Sequence, residues 1–503
     1  MKIQVSLIGC FLFSLVTMAQ ENIFLQRDFW KQDPSIDTVE KAIANGNDIT
    51  ELNRFMFDGV SYAFLEKVNN TTMMHIMEKK GNEVDKLTHD GRTYIFWAAY
   101  KGNLEMMKWL VNRGAKANIE DSHGYSVLNF AAIAGQSETA LYDFLLENKA
   151  DIHSTNRSGA NALLLVASAA KDETILNYFV DKGLTFESVD DNGNGIFQYA
   201  AKGGNIDLLK ALHARGADFK MVNKKGENAL FMAAQGTRSE QHGKDLFTYL
   251  EGLGLEANLT NSDGKNLLHS LAYRNKDLEV FEHYLGKGLN PNAQDSEGYT
   301  PLINASRSNA IEVIALLANS TKDINALDNK GRSALTHAVS RNNEKTVKWL
   351  LENGADISIV DKSGNTLAYY LMQSYNVKRP EAFESKWALL NKSGLSMKDV
   401  QHDGNSLLHL AAKDNNLPLL ERLEEFSIDI NQKNDEGNTA LHLAAMSTAD
   451  TNILKYLITK GADVMVKTDF EETVYDLAKE NELLQKEGNN LDFLKTNVKI
   501  QGK

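Results

Sequence analysis

An all-α solenoid of about 12–13 helix-pair units, with short hairpin fingers, is the architecture this sequence predicts. Three observations predict it. A glycine recurs in a polar tip at Gly91, Gly124, Gly159, Gly193, Gly226, Gly264, Gly298, Gly331, Gly364, Gly404 and Gly437, in steps of 33 to 40 residues, with Glu471 in its place in the last unit. Between tips one grammar returns: a short helix rich in small residues, a turn, then a helix with apolar residues at i, i+3, i+4 and i+7. Only 5 of the 503 residues are proline, which suits a chain of many helices. The period overrides a domain count based on length, because each unit can hide its apolar side only against its neighbours.

At the start, Lys2 precedes an apolar stretch from Ile3 to Val16 and the small-residue end Thr17-Met18-Ala19. Residues 1–19 therefore read as a signal peptide cut between Ala19 and Gln20. The stretch is short and interrupted by Gln4, Ser6 and Ser14, so it does not read as a membrane span. Leu7-Ile8-Gly9-Cys10 resembles a lipoprotein box, but apolar Phe11-Leu12-Phe13 follows where such a protein turns polar. Cutting at Ala19 removes the only cysteine, which suits an oxidising compartment. No second long apolar run occurs, so no integral membrane segment is expected after signal removal.

Residues 20–58 read as a degenerate N-terminal cap around Val39–Asn47, residues 59–485 as the repeat array, and 486–503 as a C-terminal tail. Asp58-Gly59 opens a weaker first unit. Thr473–Lys486, with Glu471 for glycine and the polar run Lys479-Glu480-Asn481-Glu482, reads as the closing cap, since a stack needs polar outer faces at its ends. The longest steps add Thr237–Lys244 and residues around Tyr375–Glu381, both at the turn between helices. They read as tolerated loop growth, with a second contact edge as the alternative.

Thr93-Tyr94-Ile95-Phe96-Trp97-Ala98-Ala99 and Thr439-Ala440-Leu441-His442-Leu443-Ala444-Ala445 show the first helix, whose paired alanines allow close approach. Leu104, Met107, Leu110 and Val111 show the second, closing on Gly114-Ala115. Gly114, Gly183, Gly216, Gly254, Gly288, Gly354, Gly394 and Gly461 stand where such a helix stops. At these residues the chain resembles the ankyrin-repeat family over roughly residues 59–490. Thr439–Ala445, Ser406–Ala412 and Thr300-Pro301-Leu302 match its Thr-Pro-Leu-His-x-Ala-Ala signature, and Gly216-Ala217-Asp218, Gly354-Ala355-Asp356 and Gly461-Ala462-Asp463 match its closing motif. Proline survives only at Pro301, and the motif histidine only at His269, His409 and His442. The resemblance implies a curved stack of helix pairs, with fingers along one edge and a concave inner-helix surface that binds partner proteins. It also implies that these three histidines bond turn backbone.

Chemistry is not legible. The net charge of −13 argues against a nucleic-acid binder. No zinc-protease, P-loop, nucleophile-elbow or EF-hand pattern occurs. His89 and His123, on consecutive fingers, read as solvated tip residues rather than a metal pair, and Asp190-Asp191 and Asp435-Glu436 as hydrated finger surface. No catalytic residue, cofactor or metal is expected.

The informative surface is the pair of positions after the small residues, expected to face the concave side. Six of eleven such pairs carry Lys or Arg and only Asp414 is acidic, although the chain is acidic overall. The expected partner-binding residues are Tyr100, Lys101, Ile133, Lys202, Tyr273, Arg274, Arg307, Arg341, Lys413 and Met446. Solvated cations are the plain reading, and a weakly basic, aromatic-dotted groove for an acidic protein segment is the functional one. The sequence is thus read as an exported, monomeric, non-enzymatic protein–protein interaction scaffold. The periplasm is its expected place and the extracellular space the second. A secreted effector acting on a foreign host protein, and an enzyme with an unrecognised site, are the rival readings.

Overall fold

After the four-residue Arg27–Trp30, turn signals leave the described helices of the small-residue layer only 6 to 8 residues long, as at Ala162–Ala167 and Leu267–Arg274. Isolated helices that short are unstable in water, so each persists by packing. The computed structural model describes residues 22–486 and 490–496 and divides into two compact units, up to residue 221 and from residue 222. Residues 1–19, read as a signal peptide, and Cys10 within them lie outside the described residues.

Among the described residues, six helix pairs make up the first unit, from Arg27–Trp30 with Ile36–Ala44 to Ile196–Gly203 with Ile206–Ala214. Eight make up the second, from Ala229–Gln235 with Lys244–Gly252 to Val474–Glu480 with Glu482–Lys486. Within each unit the first helices of successive repeats pack on one another as an inner layer, and the second helices follow as an outer layer. Ala98, Ala99, Ala131 and Ala132 are fully buried where inner helices meet. Outer-helix residues such as Leu110 and Leu145 are fully buried too, each contributing about 1.5–3 kcal/mol. Among the described residues no strand forms, and only isolated antiparallel bridges such as Thr260 with Asn266 mark the fingers.

Most fingers are folded by an Asp or Asn side chain three residues before the tip glycine. The Asp295 carboxylate accepts the backbone amides of Glu297 and Tyr299 at 3.0 and 2.9 Å, while the Gly298 amide donates to the Asp295 carbonyl at 2.8 Å. Asp121, Asn156 and Asp190 do the same in the first unit, and Asn261, Asp328, Asp361 and Asn434 in the second. Gly298 holds φ +81, and a Cβ there would lie 2.6 Å from the Asn329 amide of the next finger. That closeness is the point of contact: Ser296 N donates to Asp263 O at 2.7 Å, Asn329 N to Glu297 O at 2.8 Å, and Lys362 N to Lys330 O at 2.9 Å. At the last tip Glu471 itself adopts the left-handed conformation, φ +62.

Two further polar devices join neighbours. His269, His409 and His442 each accept the amide that opens their helix on Nδ1 and donate from Nε2 to a carbonyl beyond it, at Tyr299, Asn438 and Val466 respectively. In the second unit Asn275, Asn309 and Asn342 donate to carbonyls at the end of the preceding inner helix or the turn after it, such as Ala272 O at 2.9 Å from Asn309. The Tyr375–Glu381 insertion displaces the next such position. There Lys386 reaches in from the outer helix Glu381–Lys392, 3% exposed, donating to Val339 O at 2.7 Å and Asn342 O at 3.3 Å. Burial pushes its ammonium down to about 8.

Both ends also bury apolar side chains. Phe24 and Trp30 are fully buried in the stretch read as a degenerate cap, and Trp30 Nε1 donates to Phe24 O at 2.9 Å. In the tail, Leu491 and Leu494 are buried, so part of it packs back on the array.

Burial lowers the proton affinity of His269, His409 and His442, the last to about 4. An unfolded imidazole titrates near about 6.5. As pH falls below that value the unfolded chain takes up protons the folded chain refuses, so this stability is complete above it and drains away as pH drops towards the folded value. For His442 the loss between pH 6.5 and 5 is expected to reach about 2 kcal/mol, read from urea midpoints, with a shallower fall in His442→Gln. Lys386→Met should cost about 2–3 kcal/mol in the same assay by stranding two buried carbonyls; an unchanged midpoint would mean another donor serves them.

Candidate functional site on the inner helices

All ten expected partner-binding residues lie at or just past the C-terminal ends of inner helices, where the helix dipole favours cations. In the first unit Tyr100 and Ile133 end the helices Tyr94–Tyr100 and Val127–Ile133, Lys101 follows directly, and Lys202 sits in the last turn of Ile196–Gly203. In the second, Tyr273 and Arg274 end Leu267–Arg274 and Arg307 follows Pro301–Ser306. Arg341 and Lys413 end their helices, and Met446 stands one residue before the end of Ala440–Ser447. Ile133, Tyr273 and Met446 are 40, 52 and 43% exposed. Arg274, Arg341 and Lys413 are exposed as well, whereas Tyr100, Lys101, Lys202 and Arg307 are half-buried.

The structure brings some of these together. The Lys101 ammonium lies 5.8 Å from the Tyr100 ring, and the Arg274 guanidinium 5.5 Å from the Tyr273 ring. Arg307 reaches instead to Tyr299 on the finger, 5.8 Å from its ring. Lys101, Arg274, Arg307, Arg341 and Lys413 make no ion pair among the described residues.

A second row, one helical turn earlier on the same face, was missed from sequence. Trp97 precedes Tyr100 by three residues, Phe130 precedes Ile133, and His337 and Tyr370 stand at the same register in later repeats. Its signal was available: Tyr62, Trp97, Phe130, Leu165, Tyr199 and Met232 recur at the repeat spacing. In the first unit these rings form a wall, with Phe130 stacked on Tyr100 at 5.1 Å and Phe57 between Tyr62 at 5.3 Å and Trp97 at 5.5 Å. Arg92 covers it, 4.2 Å from the Phe130 ring, and holds the buried Asp121 carboxylate at 2.8 Å.

The second unit replaces rings by a polar lattice. Asp328 faces Arg332 at 2.8 Å and His337 at 3.0 Å, and Arg332 donates to the Tyr299 hydroxyl at 2.8 Å. Burial would raise the Asp328 carboxyl, yet the His337 hydrogen bond, the Arg332 amide and its charge hold it down to about 2. His337 is pushed below the usual imidazole range, first by burial. Tyr370 donates to Asp361, and burial followed by that carboxylate raises its phenol.

One finger reading is corrected, at Asp190. His89 and His123 are partly exposed tip residues whose Nε2 atoms lie 3.3 and 3.4 Å from one Asp90 oxygen, which Arg92 also approaches at 3.1 Å. The His89 ring packs on Phe57 and pairs with Phe55 O, because successive fingers lie close enough to share side chains. Asp190 is buried rather than hydrated, since its carboxylate folds its own finger. Among the described residues no group of three or more His, Cys, Asp or Glu is arranged to hold a metal ion, and no helix is long and apolar enough to cross a membrane.

The family profile described as ankyrin repeats (3 copies) matches residues 60–156, 237–326, 268–361 and 375–468, and that described as ankyrin repeats (many copies) matches residues 197–250. The chain is similar to the putative palmitoyltransferase ZDHHC13 of Danio rerio, 24% identical over 204 residues, 40% of this chain and 31% of that protein. It is also similar to neurogenic locus notch homolog protein 1 of Homo sapiens, 30% identical over 153 residues, 30% of this chain and 6% of that protein. Palmitoyltransferase AKR1 of Lachancea kluyveri is 24% identical over 215 residues, 40% of this chain and 28% of that protein. The chain spans less than a third of the length of these relatives.

Arg92→Met keeps the bulk over Phe130 but leaves the buried Asp121 carboxylate without its cation. A loss of about 3–5 kcal/mol in urea unfolding is expected; a loss below about 1 kcal/mol would place the pair among surface bridges instead.

Proposed function

Because the chain belongs to the ankyrin-repeat family, we propose that it is a non-enzymatic protein-interaction scaffold whose inner-helix face takes an acidic segment of a partner protein. The observation that supports this reading is the state of its cations. Lys101, Arg274, Arg307, Arg341 and Lys413 stand unpaired among the described residues, although acidic side chains outnumber basic ones 67 to 54. Charge complementarity of this kind speeds encounter and sets register, while Tyr100, Ile133, Tyr273 and Met446 supply contact area. Side chains carried on packed helices are ordered in advance, so binding loses little conformational entropy.

The acyl transfer in the names of two relatives is not carried over, since the matches cover 31% and 28% of those proteins. The scaffold is proposed to act as a monomer, exported by residues 1–19 to the periplasm. Amino-terminal sequencing of the mature protein should then begin at Gln20.

The decisive variant combines Arg274→Glu, Arg307→Glu and Arg341→Glu. Capture of a partner from an envelope extract at low salt should fall by about tenfold or more, and the difference should shrink as salt rises. Equal capture by variant and parent would sink the basic-face reading.

A further inference from the structure

In the first unit, the turns that join the helices of two adjacent repeats form an open surface cavity of ≈ 440 Å³, lined by Phe64, Lys67, Val68, Asn70, Lys101 and Leu104 together with the turn residues beside them. Its two cations, Lys67 and Lys101, make no ion pair among the described residues. Neighbouring acids have other partners, although the Glu66 carboxylate still draws on the Lys101 ammonium. Glu66, largely buried, holds Arg27; Glu105 accepts from the Asn70 amide at 2.6 Å; and Asp33 accepts from the Asn69 backbone at 2.8 Å. The Lys101 ammonium gives up its proton more readily than an ordinary lysine, through burial first and the Lys67 charge next.

Backbone geometry adds a separate sign. Lys67 holds φ +60, the left-handed conformation that glycines hold in the turns of later repeats, Gly102 at +69, Gly135 at +75 and Gly204 at +81. A side chain in that conformation costs about 1–2 kcal/mol, and a glycine would relieve it. The strain is borne at the mouth of the cavity, and what it gains is an ammonium group there. Two like charges drawn to one void, one of them partly desolvated, repel unless an anion joins them.

We propose that this cavity binds an oxyanion group, phosphate or carboxylate, with the Lys67 and Lys101 ammonium groups as its counter-charges. The site shares Lys101 with the basic inner-helix face, but its test is separate: Arg274, Arg307 and Arg341 belong to the second unit and do not line the cavity, and a small free anion probes the cavity by itself.

The test melts the full chain at pH 7 in chloride, inorganic phosphate or acetate at matched ionic strength. A saturable rise in Tm of about 2 °C or more is expected with at least one oxyanion. That rise should vanish in Lys67→Gln/Lys101→Gln and persist in Lys108→Gln, which lies on the outer helix away from the cavity lining. A response to phosphate alone makes phosphoryl groups the ligand class, and a response to acetate, alone or as well, brings in carboxylates. Should the double variant fold poorly, ε-15N-lysine spectra of the parent chain decide: the Lys101 ammonium must hold its proton to higher pH once the anion is added. No saturable response to either anion, an equal response in the double variant, or an unmoved Lys101 signal overturns the site.

Discussion

Repeats in this protein complete one another's backbone hydrogen bonding, and the rest of the architecture depends on that exchange. A finger amide such as Ser296 N donates to the finger before it, at Asp263 O. A histidine such as His409 carries a bond from its own helix start to the next finger, at Asn438 O. An asparagine such as Asn309 satisfies the end of the helix before it. The histidine and the asparagine are buried, and a buried polar group without a partner costs about 1–3 kcal/mol. A repeat cut from its neighbours would therefore lose polar partners as well as apolar cover. Helices of 6 to 8 residues have no stability in reserve to absorb that loss.

The same exchange decides where charge ends up. Acids in the fingers are consumed by structure: Asp121, Asp295 and Asp328 accept the amides of their own turns, and Asp121 and Asp328 also hold Arg92 and Arg332. Cations at the ends of inner helices sit beside orphan carbonyls and a favourable dipole end, and no acid is placed to pair with them. A chain with net charge −13 thereby presents, among the described residues, basic groups without an ion pair at inner-helix ends in each unit. Charge distribution here is a product of turn chemistry, and composition alone would have pointed the other way.

Departures from the repeat rule concentrate in the turns between inner and outer helices. Lys67 stands there in a glycine conformation, and Lys386 does the work of an asparagine after an insertion has shifted the register. Both substitute a long cation where the array otherwise uses a small or short polar residue. Their environments differ in kind: Lys386 is buried against carbonyls that accept from it, whereas Lys67 lines an open cavity with a second lysine and no carboxylate in the lining.

Sequence alone determined the helix-pair array, because a glycine tip, a small-residue helix and an amphipathic helix are each local patterns, and their recurrence at 33 to 40 residues is visible without coordinates. It also placed His269, His409 and His442 in their backbone-bonding role through the motif they complete. The positions expected to meet a partner fall at inner-helix ends, and only packing shows that Trp97 and Phe130 share a face with Tyr100 and are roofed by Arg92. Tertiary structure alone decided that Asp190 is buried, that His89 and His123 meet at Asp90, and that Lys67 and Lys101 share a void. Each of these depends on how far one repeat lies from the next, a distance set by side-chain packing between residues some thirty positions apart. Local pattern carries no record of that distance.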